Sequence, residues 1–298
     1  MTDRTIIRVF PRRTKATPDD ALAYAGKDAW PRKKGSARHG LFLPDAHEVH
    51  VSVAFTWDIA TGERLVREWK RHYHNVQLGG PAITKHPGEF VPGRYLKAGY
   101  TITSRGCPNR CPYCMVPGRE GRKIRTLEIH DGWNVVDNNL LACPPHHFQA
   151  VFDMLDRQKE RAKLSGGLEA ALVNPWIARR LAKMRIDTIF LAYDRPAQKA
   201  HVKRAAGLIL DAAGWSPGTA RRRLQVYVLC GFEKDDTPAR AVQRCEFIVS
   251  LGPHPYPMYY KGPDCEVRRI PDEWYKPLRP YLRPEGRYTK KRKAPSGQ

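Results

Sequence analysis

From residue 96 onward, segments with the composition of β-strands alternate with segments that have helical spacing. This alternation constrains the fold more than any other feature of the sequence. Six strand-like segments follow one another: YLKAGYTITS, WNVVD, KLSGGLE, DTIFLAYD, RLQVYVLCGF and YPMYY. Strands separated by helices favour a parallel sheet, because parallel neighbours need a long crossover connection. We therefore predict an α/β fold, in which a curved, barrel-like sheet fits the six strands.

Helix start signals support this alternation. Asn174-Pro175 and Thr237-Pro238 each combine a capping residue with a proline that suits the first helical position. The second pair is predicted to open a helix that runs to about residue 251. Further helices are predicted over about residues 147–161 and up to about residue 208.

The first 95 residues predict a small α/β extension. Ile6–Phe10 indicates a strand, and residues 13–47 indicate mainly loop, with a short helix at residues 18–24. HEVHVSVAF then alternates as a strand does, residues 61–73 have helical spacing, and NVQLGGP gives another strand. This single strand–helix–strand unit is too small for a full nucleotide-binding domain.

The chain carries 52 Lys and Arg against 30 Asp and Glu, a formal net charge of +22. Such a charge favours a polyanionic partner such as nucleic acid, although a surplus of charge can also serve solubility alone. Much of it lies in three patches: residues 32–38, Arg221-Arg222-Arg223 and residues 290–293. We predict three regions: the extension over residues 1–95, a barrel over residues 96–265, and a basic, partly disordered tail over residues 266–298.

Hydropathy and cysteine content predict a cytoplasmic protein with reduced thiols and no membrane partner. No apolar run approaches the roughly 18 residues that a spanning helix needs. The first residues contain no apolar segment of the kind found in secretory signals. The cysteine count of seven is odd, which argues against a disulfide framework.

Three cysteines lie close together in the loop GCPNRCPYCMVPG, which follows the first of the six strands. Cys107, Cys111 and Cys114 are separated by prolines that exclude a regular helix. They fit a disulfide pair with a spare thiol, a redox pair with a neighbour, or three metal ligands. A redox pair leaves the third cysteine idle, and zinc needs a fourth ligand that we do not find nearby. An iron–sulfur cluster is held by thiolates, normally four, so three cysteines would leave one iron open.

The other predicted strands also end in small or polar residues. In parallel α/β folds, reactive groups collect at the carboxyl ends of the strands. The endings here are Asp137-Asn138-Asn139, Gly166-Gly167-Leu168-Glu169, Asp194 and Cys230-Gly231. Such residues are also ordinary turn formers. Because one predicted strand after another ends in such residues, they favour a functional site at the carboxyl-end edge of the sheet.

Because of Cys107, Cys111 and Cys114, with Tyr113 before the last of them, the segment over roughly residues 96–262 resembles the radical SAM superfamily. There, three such cysteines bind a [4Fe-4S] cluster, and S-adenosylmethionine (SAM) chelates the fourth iron. The resemblance implies a partial (β/α)6 TIM-like barrel with Cys107, Cys111 and Cys114 as cluster ligands. It also implies that an electron from a donor such as flavodoxin or ferredoxin cleaves SAM. The products are methionine and a 5′-deoxyadenosyl radical, which abstracts hydrogen from a substrate.

The resemblance implies contacts to SAM as well. Tyr113, the aromatic residue before the third cysteine, corresponds to a residue near the adenine. Asp137-Asn138-Asn139 takes the place of a GGE-like motif that holds the methionine amino group and that this chain lacks. A helix-capping turn and surface carboxylates are the structural alternatives. The remaining implied contacts to methionine, ribose or adenine are Glu169, Asp194 and Gly231.

The extension resembles the last piece of the cobalamin-binding domain that precedes many radical SAM enzymes, on the residues VHVSVAFTW and NVQLGGP. It departs from that domain because it lacks the motif D-x-H-x-x-G, whose histidine lies below the cobalt. A single strand–helix–strand unit is also too small to hold a corrin. We therefore expect no cobalamin.

The other four cysteines are scattered and do not predict a second cluster. Cys230 in a strand and Cys245 on a helix are expected to be core residues. Cys143, which lies close to His146 and His147, is the one candidate for a catalytic thiol that faces the substrate.

Three functions follow from these observations. The first is a radical SAM enzyme whose substrate the sequence does not name. The second is a radical SAM enzyme that acts on a nucleic acid, held by the basic surface. The segment CMVPGREGRKIR supports it, because it is similar to a loop of tRNA methylthiotransferases. The RNA-binding barrel and the second-cluster domain of that family do not appear in this sequence, which argues against it. The third is a non-catalytic, basic nucleic-acid-binding protein with structural zinc, which predicts a fourth ligand beside the three cysteines.

Overall fold

The computed structural model describes residues 5–31, 43–262 and 270–282. Two of the three predicted basic patches, and most of the predicted tail, lie outside these ranges. The chain forms two compact units. The first comprises Met1–Arg110, Cys114–Gly132 and Lys261–Arg268, and the second comprises Cys111–Tyr113, Trp133–Tyr260 and Arg269–Gln298. In the described ranges, no helix has the length and apolar character required to span a membrane.

The first unit contains a parallel sheet of four strands in the order β2-β1-β3-β4. Its strands are β1 (Ile6–Phe10), β2 (Ala23–Ala25), β3 (Glu48–Ser52) and β4 (Val76–Gly79), with α1 (Ile59–Trp69) between β3 and β4. The register pairs Val9 with both Tyr24 and Val51. The predicted strands β1, β3 and β4 and the predicted helix α1 are confirmed.

The helix predicted at residues 18–24 is wrong. Ala23, Tyr24 and Ala25 form β2 instead, and all three are buried. The strand pairs with β1, and the Arg8 N–H donates to the Leu22 carbonyl at 2.8 Å. This pairing partner lies outside the local sequence, so local spacing could not reveal it. With β1 and β2 included, the sheet is larger than the single strand–helix–strand unit that the sequence predicted.

The core of the first unit lies between this sheet and α1. Val9, Val51, Leu65 and Trp69 are fully buried there. The Trp69 indole donates to the Ala29 carbonyl at 2.8 Å, which satisfies its one polar group. Four short elements complete this unit: β5 (Tyr100–Thr101), β6 (Ser104–Arg105), α2 (Val116–Arg119) and β7 (Arg125–Thr126). The segment YLKAGYTITS, predicted as one strand, thus contains β5 and only the first residue of β6.

Within the second unit, five parallel strands lie in the order β12-β11-β10-β9-β8. The strands are β8 (Asn134–Val135), β9 (Ala162–Leu168), β10 (Ile186–Tyr193), β11 (Leu224–Cys230) and β12 (His254–Tyr259). The helices are α3 (Pro145–Arg157), α4 (Pro175–Lys183), α5 (Lys199–Ala213), α6 (Pro217–Arg223), α7 (Pro238–Leu251) and α8 (Asp272–Leu278). The predicted α/β class with parallel sheet is confirmed.

The predicted helix caps are confirmed at two positions. The Asn174 side chain accepts a hydrogen bond from the Ile177 N–H at 2.9 Å, and the Thr237 side chain accepts one from the Arg240 N–H at 3.3 Å. Each cap satisfies a backbone donor that a helix start leaves without an internal partner. The caps fix where α4 and α7 begin, and hence where the loops after β9 and β11 end.

Candidate functional site

Two of the polar residues predicted at strand ends, Asn139 and Glu169, are in contact just after β9. The Asn139 side-chain amide donates to the Glu169 carboxylate at 2.6 Å, although 30 residues separate the two. Asn139 is 4% exposed and Asp137 is 2% exposed. These polar groups are therefore held inside the protein, where their geometry is fixed and their hydrogen bonds are strong.

Gly166 is a part of this site whose specific role the sequence did not indicate. A side-chain carbon at Gly166 would lie 2.2 Å from the Asp137 carbonyl oxygen and 2.9 Å from the Asp137 nitrogen. Only glycine lets β9 pass this close to the turn that carries Asp137. The GG pair in KLSGGLE was the available signal.

Tyr113 and Asp194 form a second pair in the same unit. The Tyr113 hydroxyl donates to Asp194 Oδ2 at 3.0 Å, and the Asp194 N–H donates to the Gln198 side chain at 2.7 Å. Burial raises the pKa of the Asp194 carboxyl, and the hydrogen bond from Tyr113 opposes this change. Burial also raises the pKa of Tyr113, as does its hydrogen bond with Cys111. Tyr113 therefore stays protonated and remains a donor at neutral pH.

Gly231 lies at the end of β11, in a turn that a buried ion pair stabilises. Its N–H donates to Asp236 Oδ2 at 2.7 Å, and Arg244 binds both oxygens of that carboxylate at 2.9 and 2.7 Å. The side chains of Asp236 and Arg244 are 5% and 11% exposed. The sequence analysis missed this pair, because no local pattern connects a turn residue to an arginine on α7.

The requirement for glycine at position 231 can be measured. Gly231 has φ +76°, and a side-chain carbon there would lie 2.8 Å from the Tyr259 ring. We expect Gly231→Ala to lower the free energy of unfolding by about 1–3 kcal/mol in a urea titration. Gly207→Ala on α5 is the matched control, since an added carbon there meets no described atom within 4 Å. It should raise stability by about 0.5–1 kcal/mol, and equal effects of the two variants would contradict this account of the turn.

The cysteine loop begins at the antiparallel pair β6–β7. Gly106 has φ +86°, and a side-chain carbon there would lie 2.4 Å from the Lys123 carbonyl oxygen. The Cys107 N–H donates to the Gly121 carbonyl at 3.2 Å. Arg105 pairs with Glu120 at 3.3 Å, with both side chains largely buried. These contacts fix the start of the loop, whereas residues 106–115 are neither helix nor strand.

The described thiols divide into two groups by burial. None is in a disulfide; Cys107, Cys111 and Cys114 are partly exposed, whereas Cys143, Cys230 and Cys245 are buried. Burial raises the pKa of Cys230 to about 12 and raises that of Cys245 as well. These two thiols therefore stay protonated, in agreement with the core positions predicted for them.

Cys143, the predicted catalytic thiol, is 5% exposed, and its Sγ donates to the Asn139 carbonyl at 4.0 Å. His146 is exposed and His147 is buried. A catalytic role for Cys143 stays a prediction. Cys265 lies outside the described residues.

Within the residues that the structure describes, no set of three or more His, Cys, Asp and Glu side chains is placed to hold a metal ion. The second unit carries two partly buried polar pairs, Asn139–Glu169 and Tyr113–Asp194. Of the loop thiols, Cys111 belongs to the second unit, and Cys107 and Cys114 belong to the first.

Comparison with known proteins adds no functional assignment. No protein-family model matches the chain. No curated protein matches it significantly. A functional proposal therefore has to rest on these residues and their chemistry.

Proposed function

We propose that the protein is a radical SAM enzyme, that its parallel sheet is a partial (β/α)6 TIM-like barrel, and that Cys107, Cys111 and Cys114 hold a [4Fe-4S] cluster. One observation carries the proposal: the three clustered thiols are in no disulfide and are partly exposed, whereas the other described cysteines are buried. Iron–sulfur clusters need accessible thiolates, and a buried thiol gives up its proton only at a high cost.

The donor set fits such a cluster in its chemistry. Three thiols leave one iron of a four-iron cluster for an external ligand. Residues 106–115, which carry the three thiols, contain no helix or strand. Gly106 and the Arg105–Glu120 pair would keep the start of the loop fixed.

The two partly buried polar pairs are proposed to bind SAM. Asn139 and Glu169 offer an amide and a carboxylate, which suit the amino and carboxyl groups of the methionine part. Tyr113 and Asp194 offer a flat ring and a hydrogen-bond acceptor, which suit the adenosine part. A reduced cluster, if bound by Cys107, Cys111 and Cys114, would supply the one electron that cleaves SAM to methionine and a 5′-deoxyadenosyl radical. The chain itself binds SAM, orients it and keeps water out.

Metal analysis tests the proposal. After anaerobic reconstitution with ferrous iron and sulfide, we expect about four irons and four sulfides per chain. A single zinc that is retained against iron would instead support the non-catalytic, nucleic-acid-binding alternative. Protein that binds neither metal would contradict both functions. The donor flavodoxin or ferredoxin, and a polyanionic partner for the net charge of +22, stay predictions.

A further inference from the structure

The first unit contains a large cavity that the proposed function does not use. Its volume is about 630 Å³, and every residue that lines it belongs to the first unit. Small-molecule sites in proteins typically have volumes of about 300–1,000 Å³. The cavity is thus large enough for an organic ligand.

The strand order places this cavity where parallel α/β sheets bind ligands. In this sheet β2 lies on one side of β1, whereas β3 and then β4 lie on the other side. The strand order therefore reverses its direction between β1 and β3. In open parallel sheets, ligands bind outside the carboxyl ends of the strands at such a reversal. Phe10 ends β1, Ser52 ends β3 and Gly79 ends β4, and all three line the cavity.

The turn after β4 is a fixed wall of the cavity. Gly80 has φ +100°, and a side-chain carbon there would lie 2.6 Å from the Val53 nitrogen and 2.8 Å from Ser52 Oγ. The Gly80 N–H donates to Thr84 Oγ1 at 3.1 Å. Glycine at this position lets the end of β4 lie directly against the end of β3.

Much of the lining is apolar and aromatic. It includes three phenylalanines and three aliphatic residues: Phe10, Phe55, Phe90, Val91, Leu96 and Ile102. Val91 is 39% exposed. Such a wall suits a flat, apolar ring, since aromatic side chains bind planar rings by stacked or edge-to-face contact.

Two of the four arginines in the lining are neutralised by carboxylates. Arg12 donates to both oxygens of Asp58 at 2.9 and 3.2 Å. Arg105 pairs with Glu120 at 3.3 Å. Neither guanidinium has its charge available for a ligand. The Asp58 carboxylate also occupies the start of α1, so an anionic group is not expected there.

The other two arginines give the cavity its available positive charge. In the described part of the chain, no carboxylate pairs with Arg94 or Arg119. Arg94 is exposed, and Arg119 donates only to a carbonyl group, that of Pro81. Glu89 is the remaining acidic residue of the lining, so the two free cations outnumber it. An anion near Arg94 and Arg119 would form charge-assisted hydrogen bonds.

We propose that this cavity binds a nucleotide, with the base against the phenylalanine wall and the phosphate towards Arg94 and Arg119. The hydroxyls of Ser52 and Thr84, which also line the cavity, can bond to a sugar. A nucleotide combines a base, a sugar and a phosphate, which match the apolar lining, the two hydroxyls and the two arginines, respectively. The proposal does not depend on the cysteine loop, so it can fail or succeed separately from the radical SAM assignment.

The test is isothermal titration calorimetry of the full-length protein with AMP, GMP, CMP and UMP. At least one monophosphate should bind with a Kd below about 1 mM, and its nucleoside, which lacks the phosphate, should bind at least about tenfold more weakly. Arg94→Gln should weaken the monophosphate by about tenfold, since it removes one charge-assisted contact. Arg94 is exposed, so this variant should fold normally.

Arg67→Gln is the matched control, since Arg67 is an exposed residue of α1 outside the cavity lining. It should leave the Kd unchanged. Equal loss in the Arg67 and Arg94 variants would indicate non-specific attraction by the net charge and would overturn the proposal. Binding that Arg94→Gln does not weaken, or no binding of any monophosphate up to millimolar concentration, would overturn it too. If hydroxocobalamin binds and no monophosphate does, the cavity serves a different ligand and the nucleotide proposal is overturned.

Discussion

Replacing Cys107, Cys111 or Cys114 by alanine is expected to remove the iron–sulfur cluster completely. Three ligands leave no redundancy, because a cluster already one thiolate short of four cannot lose another and stay bound. The three thiols are the only partly exposed cysteines among the described residues, so no other described cysteine can replace them without local unfolding. The measurement is iron and sulfide per chain after anaerobic reconstitution, with wild type in parallel.

Cys245→Ala is the control for these variants. Cys245 is fully buried on α7, and burial raises the pKa of its thiol. Its loss should lower stability modestly, through a small cavity, but should leave the iron content at the wild-type value. A loop variant that keeps its full iron would show that the assigned ligand is wrong. Loss of iron in Cys245→Ala would show that iron binding requires more than the three loop cysteines.

In the second unit, the sequence predicted the five strands and the helices α3, α4, α5 and α7, because their signals are local, but it missed α6 (Pro217–Arg223) and α8 (Asp272–Leu278). Asn174 and Thr237 cap their helices with side chains that bond three residues ahead, which a short stretch of sequence encodes fully. Helix ends were less accurate. The helix predicted over residues 147–161 spans Pro145–Arg157, and the one predicted up to residue 208 continues to Ala213, where Gly214 ends it with φ +59°.

The features that the sequence could not give depend on distant partners. β2 was predicted as helix because its pairing with β1 is a tertiary contact. The positions of Asn139 and Glu169 at strand ends were predicted, but their hydrogen bond joins two different loops. Gly231 was assigned to adenine, whereas the space a side chain would take there is filled by Tyr259. The adenine role itself stays a prediction.

Reductive cleavage of SAM is the reaction that the proposed site should perform. With dithionite as electron donor, the reconstituted protein should convert SAM to 5′-deoxyadenosine slowly even without a substrate. Asn139→Ala should reduce this turnover by weakening SAM binding while the iron content stays unchanged, because Asn139 is proposed to act on SAM and not on the metal. A charge-assisted hydrogen bond of this kind contributes about 1.5–3 kcal/mol, which corresponds to a loss of about tenfold or more.

Asn174→Ala is the control for stability in that assay. It removes the cap of α4 and should cost about 1 kcal/mol of unfolding free energy, yet it lies outside the proposed SAM contacts. Its rate of SAM cleavage should equal that of wild type. If Asn174→Ala and Asn139→Ala were equally impaired, the effect of Asn139 would come from stability and not from SAM binding.

The most direct test of the central claim is the detection of 5′-deoxyadenosine by mass spectrometry after incubation of reconstituted protein with SAM and dithionite. The radical SAM assignment predicts 5′-deoxyadenosine in the wild type and none in the variants of Cys107, Cys111 and Cys114. It also predicts no requirement for added cobalamin. S-adenosylhomocysteine formed only when cobalamin is present would contradict the interpretation of the first 95 residues. Iron-loaded protein that forms no 5′-deoxyadenosine with any reductant would contradict the proposal that this protein is a radical SAM enzyme.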